Sequence, residues 1–232
     1  MSVATAMIIG ASSTLSQALA RQLSAQNVSL VLFVNDPDAI NAFSQSLAGE
    51  VSVYPLAINQ PQMAISQLNE AWEKHNGAHL VIVNTGVNEY DPSLPWSIDQ
   101  HTIDINVMGF AAASQCIFKL MCEQGYGQLA AINSIAGQRG GPNMAYHASK
   151  AFAANYLQGL SMHAQRLKLP ITITDIQLGL FDKAVHLRTQ LLLSPIDNVA
   201  GQILTALKKG KRRVYVTKRW RIVAWINRVL PE

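Results

Sequence analysis

The sequence predicts an α/β protein: a single-domain doubly wound parallel sheet of about seven strands with helices on both faces. Short segments that are apolar at nearly every position alternate with segments of helix length along the 232 residues. Strands of this kind are buried on both faces, which is typical of parallel sheets. No repeat, low-complexity tract or Pro- or Ser-rich linker interrupts the series, so we expect one domain over residues 1–232.

The predicted strands are the apolar segments that polar or turn-forming residues bound. In chain order they lie at about Thr5–Gly10, Ser29–Val34, Val51–Ala57, Leu80–Thr85, Leu129–Ser134, Ile171–Leu178 and Val214–Thr217. The helices between them include Ile98–Met121 and Met144–Leu167. Doubly wound sheets bind ligands at the carboxyl ends of their strands, and Gly10, Ser134 and Leu178-Gly179 all fall there.

The composition is that of a compact domain, with 49% hydrophobic and 14% charged residues. The first strand begins almost at once and leaves no basic or long apolar region for a signal peptide, so we expect a cytoplasmic protein. Cys116 and Cys122 point to different sides of a predicted helix, which suits neither a disulfide nor a metal or redox motif. The six histidines lack metal-binding spacing, and we predict no metal.

The turn after the first strand is a candidate phosphate-binding site. It reads Gly10-Ala11-Ser12-Ser13-Thr14-Leu15-Ser16. A helix amino terminus presents free N–H groups and a positive dipole end, and glycine lets the backbone approach a phosphate closely. We therefore expect the pyrophosphate of a dinucleotide at this turn, where small hydroxyl residues can donate to it.

Tyr146 and Lys150 form a Tyr-x-x-x-Lys pair on a predicted helix, and Ser134 lies twelve residues before Tyr146 at a strand end. Positions i and i+4 share a helix face, so the phenol and the ammonium can address one small volume. A cation beside a phenol favours phenolate, so we expect Lys150 to lower the Tyr146 pKa below its usual ~10 and make it an acid/base group. Ser134 would hydrogen-bond a substrate oxygen. The alternative is a core tyrosine beside a solvated lysine.

Several motifs follow one another in a set order along the chain. They are the turn at Gly10–Ser16, Asn84-Thr85-Gly86 at a strand end, Ile105-Asn106-Val107-Met108-Gly109 on a helix, Ile132 to Gly137, Gly140-Gly141-Pro142, Tyr146 to Phe152, and Leu178-Gly179. Over about residues 5–216 their order and spacing resemble the short-chain dehydrogenase/reductase family. The resemblance implies a Rossmann-like fold and hydride transfer between NADP or NAD and a small-molecule carbonyl or alcohol.

The resemblance also implies a role for each catalytic residue. Tyr146 donates or removes the proton on the substrate oxygen, Ser134 hydrogen-bonds that oxygen, Lys150 also holds the nicotinamide ribose, and Asn106 anchors a water in the proton relay. The residues implied to bind the cofactor are Gly10, Ser12, Ser13, Thr14, Leu15, Asn35, Asn84, Gly86, Tyr146, Lys150 and Gly179. The structural alternatives are a helix-kink role for Asn106 and a helix cap for Ser134.

The choice between NAD and NADP depends on the end of the second strand. An acidic residue there would bind the ribose hydroxyls of NAD, and a basic one the extra phosphate of NADP. Val34 holds the usual acidic place and Asn35 the usual basic one, while Asp36 comes late and is equally suited to be a helix N-cap before Pro37. Because Asn35 can donate to a phosphate, we favour NADP slightly.

Several residues depart from the family pattern, among them Val83, which replaces an Asn, and four others that bear on the function. Thr14 and Ser16 replace two glycines of the first turn, Ala57 replaces a common Asp, and Lys183 stands near a usual Thr. These departures favour an alternative function, a catalytically weak member that binds nucleotide as a sensor or scaffold. The intact Asn106, Ser134, Tyr146 and Lys150 favour the oxidoreductase.

Two segments near the end of the chain have open interpretations. Residues from about 180 to 194 match the variable substrate loop of the family and mix basic residues with the run Leu191-Leu192-Leu193. This mixture suits an apolar, anionic substrate or an amphipathic helix over the site. Residues from about 208 to 232 carry nine basic residues and one acidic one. A helix from about Arg219 to Leu230 would be basic and amphipathic, able either to dock on protein or to contact an anionic membrane surface, and no motif indicates nucleic acid.

The two predicted helices Ile98–Met121 and Met144–Leu167 carry small or apolar residues on more faces than one sheet can cover. Members of the family pair these helices across a two-fold axis, and alanine-rich faces suit close packing. We therefore expect a homodimer or homotetramer.

Overall fold

The computed structural model describes residues 4–179, 194–217 and 220–221. Seven parallel strands form one sheet: β1 (Thr5–Ile9), β2 (Ser29–Val34), β3 (Val51–Pro55), β4 (Leu80–Val83), β5 (Gly127–Ser134), β6 (Ile171–Leu178) and β7 (Arg213–Val216). Their order is β3-β2-β1-β4-β5-β6-β7, so the direction of winding reverses between β1 and β4. The doubly wound parallel sheet expected from the sequence is confirmed.

Helices cover both faces of this sheet. They are α1 (Thr14–Ser24), α2 (Asn41–Gln45), α3 (Pro61–Lys74), α4 (Trp96–Ile103), α5 (Phe110–Gln124), α6 (Met144–Leu167) and α7 (Ile196–Lys208). One core lies between the sheet and α3, α5 and α6, and the other lies between the sheet and α1 and α7. Short 3-10 turns span Pro37–Ile40 and Ile135–Gln138.

Four strands end one or two residues earlier than the sequence predicts, and β5 begins two residues earlier, at Gly127. At the carboxyl edge the chain leaves the ladder to form loops, and the first of these turns needs a positive φ of 83° at Gly10. The residues that follow each strand are thus freed from sheet pairing. They form the edge where ligands bind in this fold.

The helix predicted over Ile98–Met121 is not one regular α-helix. A π-helical segment, Asp104–Gly109, separates α4 from α5. Such wide turns occur often at functional sites because they re-aim a side chain. Here the segment contains Asn106, which is buried. A side chain on Gly109 would come within 2.3 Å of the Ile58 carbonyl oxygen, so the segment passes close to the loop before α3.

The whole helical stretch Trp96–Gln124 is long and apolar enough to cross a membrane by length and composition, with a mean hydropathy of 1.4 in its most apolar window. Half of that window is buried, and its apolar residues belong to the core between α3, α5 and the sheet. We therefore assign it as a core helix. Cys116 and Cys122 are free thiols, and burial raises the pKa of Cys116 to about 11.

Candidate active site

The turn after β1 brings α1 against the end of β4. Gly10 has a φ of 83°, and a Cβ there would lie 2.2 Å from the Asn84 carbonyl oxygen, so both conformation and space require glycine. Ser13 then caps α1, its hydroxyl accepting from the Ser16 N–H at 3.1 Å. The N–H groups of Thr14 and Leu15 have no protein acceptor among the described residues. They form the kind of anion site that the sequence predicts for this turn.

The two hydroxyls of this turn also hold Asn84. Its side-chain amide donates to Ser13 Oγ at 2.7 Å and to Ser16 Oγ at 2.8 Å. Ser16, which stands in the place of a glycine in the family pattern, is fully buried. Its hydroxyl accepts a hydrogen bond from Asn84, the residue that follows β4. Both amide protons of Asn84 are thereby used, and only its oxygens remain for a cofactor. Leu15 is also buried, so it can reach a cofactor only through its N–H.

The end of β2 presents no carboxylate in the usual acidic place. Val34 is buried, and Asn35 is exposed at the carboxyl edge. The Asp36 side chain accepts from the Asp38 N–H at 3.0 Å and caps the 3-10 turn at Pro37–Ile40. This is the N-cap alternative that the sequence analysis left open for Asp36.

Gly86 lies beside two of the predicted catalytic residues. A Cβ at this position would come within 3.1 Å of Lys150 Nζ and 3.2 Å of Asn106 Oδ1. Its neighbour Thr85 has a buried hydroxyl without a hydrogen-bond partner among the described residues. Buried hydroxyls are nearly always paired, so a bound group fits here. Together with the free N–H groups of α1, this hydroxyl makes the edge between β1 and β4 suitable for a dinucleotide.

Asn106 uses its side chain to fix the backbone after Gly86. Its Oδ1 accepts from the Val87 N–H at 2.8 Å, and its Nδ2 donates to the Val87 carbonyl at 2.8 Å and to Ser149 Oγ at 3.2 Å. Both amide protons are thus taken. A relay water at Asn106 would have to donate to one of its oxygens.

Ser134, Tyr146 and Lys150 come together where β5 ends and α6 begins. The Ser134 hydroxyl lies beside the Tyr146 phenol, whose pKa it lowers, and it accepts from the Ala136 N–H at 3.1 Å. Ser134 is therefore a cap of the following turn as well as a partner of the tyrosine. Lys150 Nζ lies 5.4 Å from the centre of the Tyr146 ring. One small volume thus contains a hydroxyl, a phenol and an ammonium.

The expected effect of Lys150 on Tyr146 is wrong for this structure. Burial raises the pKa of Tyr146 above its usual value, and the hydrogen bond from Ser134 opposes this only in part. The ammonium lies over the ring face, and burial in turn lowers the pKa of Lys150 to about 8. No carboxylate of the described residues pairs with it. Tyr146 is therefore a phenol at neutral pH, suited to give a proton.

Two residues that the sequence analysis did not single out hold the loop before α6. Asn143 donates to the Asn88 side chain and to the Glu89 carbonyl at 2.7 Å, joining the loops after β4 and β5. His147 Nδ1 donates to the Arg139 carbonyl at 2.9 Å. Their partners are distant in sequence or in an irregular loop, so no periodicity or motif indicates them.

Gly179, a predicted cofactor residue, packs directly against Trp220. A Cβ at Gly179 would overlap the Trp220 ring, which is buried directly against it. The tryptophan therefore occupies the space beside this predicted cofactor residue. Residues 180–193 of the predicted substrate loop and residues 222–232 of the basic segment lie outside the described residues, and so do Lys183 and Trp225.

The chain is similar to known oxidoreductases in sequence. A family model described as short chain dehydrogenase matches residues 4–190. An uncharacterized oxidoreductase of Myxococcus xanthus is 30% identical over 178 residues, which are 74% of this chain and 70% of the relative. One from Mycobacterium tuberculosis is 25% identical over 90% of this chain and 87% of its own length.

Solved structures show the same fold. A short chain dehydrogenase/reductase from Burkholderia phymatum in complex with NAD aligns with a TM-score of 0.85 at 18% identity, covering 97% of this chain and 92% of that one. An alcohol dehydrogenase from the archaeon Thermococcus sibiricus, complexed with 5-hydroxy-NADP, gives 0.79 at 18% identity over 92% and 95% of the two chains.

Proposed function

The chain belongs to the short-chain dehydrogenase family and is therefore an NAD(P)-dependent oxidoreductase, and we propose that Tyr146 is its proton donor and acceptor. The observation that carries the proposal is the contact of the Tyr146 phenol with Ser134 beside the buried Lys150 ammonium. The substrate is a carbonyl or an alcohol, and the bound nicotinamide cofactor supplies or accepts the hydride.

The residues of the chain have separable tasks in this reaction. The raised pKa keeps the proton on Tyr146, which gives it to the substrate oxygen during reduction. The Ser134 hydroxyl, which lies beside the phenol, can hydrogen-bond that oxygen and orient it. Lys150 and the Asn106 side chain flank Gly86, where they can hold the ribose end of the cofactor and the backbone after β4.

A preference for NADP is the second part of the proposal. A buried valine stands where an acid would bind the ribose hydroxyls of NAD, and Asp36, the next carboxylate, is used as a helix cap. The exposed Asn35 can donate its side-chain amide to a phosphate at the ribose. Calorimetric titration of the purified protein should show NADPH binding more tightly than NADH. Tighter binding of NADH would reverse the assignment.

The same titration separates the two candidate functions. The oxidoreductase proposal expects a cofactor to bind and a panel of ketones and aldehydes to oxidise NADPH, measured by its absorbance. Binding without any turnover would favour a nucleotide sensor or scaffold. If neither NADPH nor NADH binds, both candidate functions are contradicted.

Replacement of Tyr146 by Phe tests the acid/base assignment. Tyr146→Phe removes only the hydroxyl that faces Ser134, so the rate of turnover should fall by about 10²- to 10⁴-fold while NADPH affinity stays nearly unchanged. Tyr156 is a matched control, because it is a second tyrosine on α6 whose pKa burial also raises. Tyr156→Phe should keep wild-type turnover. A Tyr146→Phe enzyme within a few-fold of wild type would show that another group supplies the proton.

The rim beside the site combines apolar and acidic side chains. Tyr90, Leu94 and Met144 are exposed and line one shallow depression with Ile98 and Pro142, next to the loop that Asn143 holds. The same depression is lined by Glu89, Asp91 and Asp99. Uncharged ketones with bulky apolar groups are therefore the first compounds to assay. A cytoplasmic location remains an expectation from the sequence.

A further inference from the structure

The sheet surface below α6 changes from apolar to polar near the carboxyl ends of its strands. Ala131 and Ile173 on this surface are part of the apolar core, but further along lie Asn133, Asp175 and Gln177. All three polar side chains are buried, at 3%, 3% and 0% exposure. Uncharged apolar side chains would pack here without a desolvation cost, so stability alone does not favour this polar group.

The amide oxygen and both amide protons of Asn133 form hydrogen bonds next to the active site. Its Oδ1 accepts from the Ser134 N–H at 2.8 Å, and its Nδ2 donates to the Lys150 carbonyl at 3.2 Å. The second proton of Nδ2 goes to Asp175 Oδ1 at 3.2 Å. One amide therefore ties the backbone of the residue at the end of β5 to the backbone of the lysine on α6.

Asp175 and Gln177 hold that amide in one orientation. Gln177 Nε2 donates to both carboxylate oxygens of Asp175 at 2.8 Å. Arg213, on the neighbouring strand, adds a charged hydrogen bond from Nε to Asp175 Oδ2 at 3.1 Å. Because the carboxylate can only accept, Asn133 must present its NH₂ to it and its oxygen to Ser134. The amide cannot flip without losing bonds at both ends.

We propose that Asn133 is a positioning residue that sets the distance and angle between Ser134 and Lys150, with Asp175, Gln177 and Arg213 as its support. The proposal rests on the proposed function, in which those two residues flank the proton donor. Asn133 itself touches no reacting atom. Ser134 ends a strand, and Lys150 lies on a separate helix. The Asn133 amide is a direct polar bridge between the two backbones, and through this bridge it fixes their relative position.

A purely structural role makes a different prediction, and the chain provides a control for it. Gln128 lies on the same strand, and its Nε2 donates to the Leu207 carbonyl at 3.0 Å and to Thr174 Oγ1 at 3.5 Å. It is thus an amide of β5 that also bridges a strand and a helix. It lies at the opposite end of the strand from Ser134 and bonds to no catalytic residue.

The test compares Asn133→Ala with Gln128→Ala in the full chain. Both should lower the melting temperature. Only Asn133→Ala should lower kcat, by about 10- to 100-fold, because small misplacements of catalytic groups have effects of this size. Its KM for NADPH should change less than kcat does, since the α1 turn is untouched and only the ribose contact proposed for Lys150 is affected. Wild-type kcat in Asn133→Ala, or an equal loss of kcat in Gln128→Ala, would overturn the proposal.

Two further measurements test the proposal if Asn133→Ala does not fold or if no substrate is found. If Asn133→Ala does not fold, Asn133→Ser offers a single proton, so it cannot donate to both the Lys150 carbonyl and Asp175. Its kcat should still fall, and wild-type kcat would refute the proposal. If the wild-type protein turns over no compound, the proposed function fails separately. Hydrogen exchange at the Ser134 amide then tests the bridge: faster exchange in the Asn133 variant alone supports it, and unchanged exchange refutes it.

Discussion

At the scale of single residues, Lys150 is held in an environment that opposes its charge. It is 9% exposed, it has no carboxylate partner among the described residues, and its pKa falls to about 8 because of burial. That shift corresponds to a cost of about 3 kcal/mol for keeping the ammonium buried at neutral pH. The protein thus keeps a destabilising side chain at the position where the proposed chemistry uses a cation.

Replacement of Lys150 by Met should therefore stabilise the protein while it abolishes turnover. Met fills a similar volume without a charge, so we expect the melting temperature at pH 7 to rise by several degrees, at about 2–4 °C per kcal/mol for a chain of this size. Because the folded-state pKa of about 8 lies below the usual 10.5, wild-type stability rises as pH increases between these values. The advantage of the variant should shrink over the same range.

Differential scanning fluorimetry at pH 7 and at pH 9.5 measures this directly. Lys119→Met is the control, because Lys119 is an exposed lysine on α5 paired only with Glu123 one turn away. It should change the melting temperature little at either pH. A Lys150→Met protein that melts below wild type at pH 7 would show that the ammonium is stabilised by its surroundings.

At the scale of elements, the contact between α1 and the end of β4 replaces the glycines missing from the first turn. Ser16 and Ser13 each accept one proton of the Asn84 amide, so the cofactor turn and the strand that leads to Gly86 are joined by side chains. In a turn with glycine at position 16, one of those protons would lose its acceptor. In this turn, serine hydroxyls thus form stabilising hydrogen bonds that glycines could not form.

Ser16→Gly, which introduces the glycine usual in the family, should weaken this protein. The lost hydrogen bond leaves a half-buried amide proton unsatisfied, which costs about 1–3 kcal/mol, and glycine adds up to about 1 kcal/mol in a helix. NADPH affinity, measured by calorimetry, should fall several-fold because Ser13 is then the remaining side chain of the turn that holds Asn84. Ser66→Gly is the matched control, since Ser66 is an exposed serine of α3, away from the turn, whose hydroxyl has no hydrogen bond to a described residue. Tighter cofactor binding by Ser16→Gly than by wild type would refute this account.

The strands, their parallel arrangement and the convergence of Gly10, Ser134 and Tyr146 could be predicted because periodicity and motif order are local properties of the sequence. The π-helical segment at Asn106 could not, since its residues have ordinary helical periodicity. The direction of the Tyr146 pKa was missed because spacing shows that a lysine is near but not how dry the site is. The Asn133 bridge joins residues 17 and 42 positions apart, and nothing in a single sequence marks such partners.

At the scale of the whole molecule, α6 has a partly uncovered face. Phe152 and Tyr156 stack at 5.5 Å between ring centres and are only partly buried, and Met108 and Met162 are exposed on the same layer of helices. Gly159 continues the Phe152 and Tyr156 face, and a Cβ there would meet nothing within 4 Å. This is the surface on which the expected dimer would form.

Gly159→Arg tests that expectation. In the isolated chain the new side chain has open space, so stability should not fall, whereas at a close helix contact it would block assembly. Sedimentation should give a dimer or tetramer for wild type and a 25.3 kDa monomer for the variant. Ser66→Arg, at an exposed position of α3, should leave assembly unchanged. A wild-type monomer at micromolar concentration would contradict the prediction.

The basic segment remains open between docking on protein and contact with an anionic membrane. Trp220 is buried against Gly179, in agreement with the first alternative for this residue, while Arg221 is exposed. Binding to anionic but not neutral vesicles, weakened by salt, would favour the second.

The contact between Trp220 and Gly179 also bears on how this protein can be redesigned. Gly179 is fixed by the tryptophan ring and by a hydrogen bond from its N–H to the Val216 carbonyl at 3.1 Å, and Pro195 is fixed as the N-cap of α7. The described chain is thus anchored at Gly179 and again at Pro195. Because doubling the length of a segment between fixed ends costs only about 0.6 kcal/mol, we expect the sequence between these anchors to tolerate replacements of other lengths. If this sequence is the substrate loop that the family resemblance predicts, a library of such replacements should change substrate preference while the described sheet and helices stay folded.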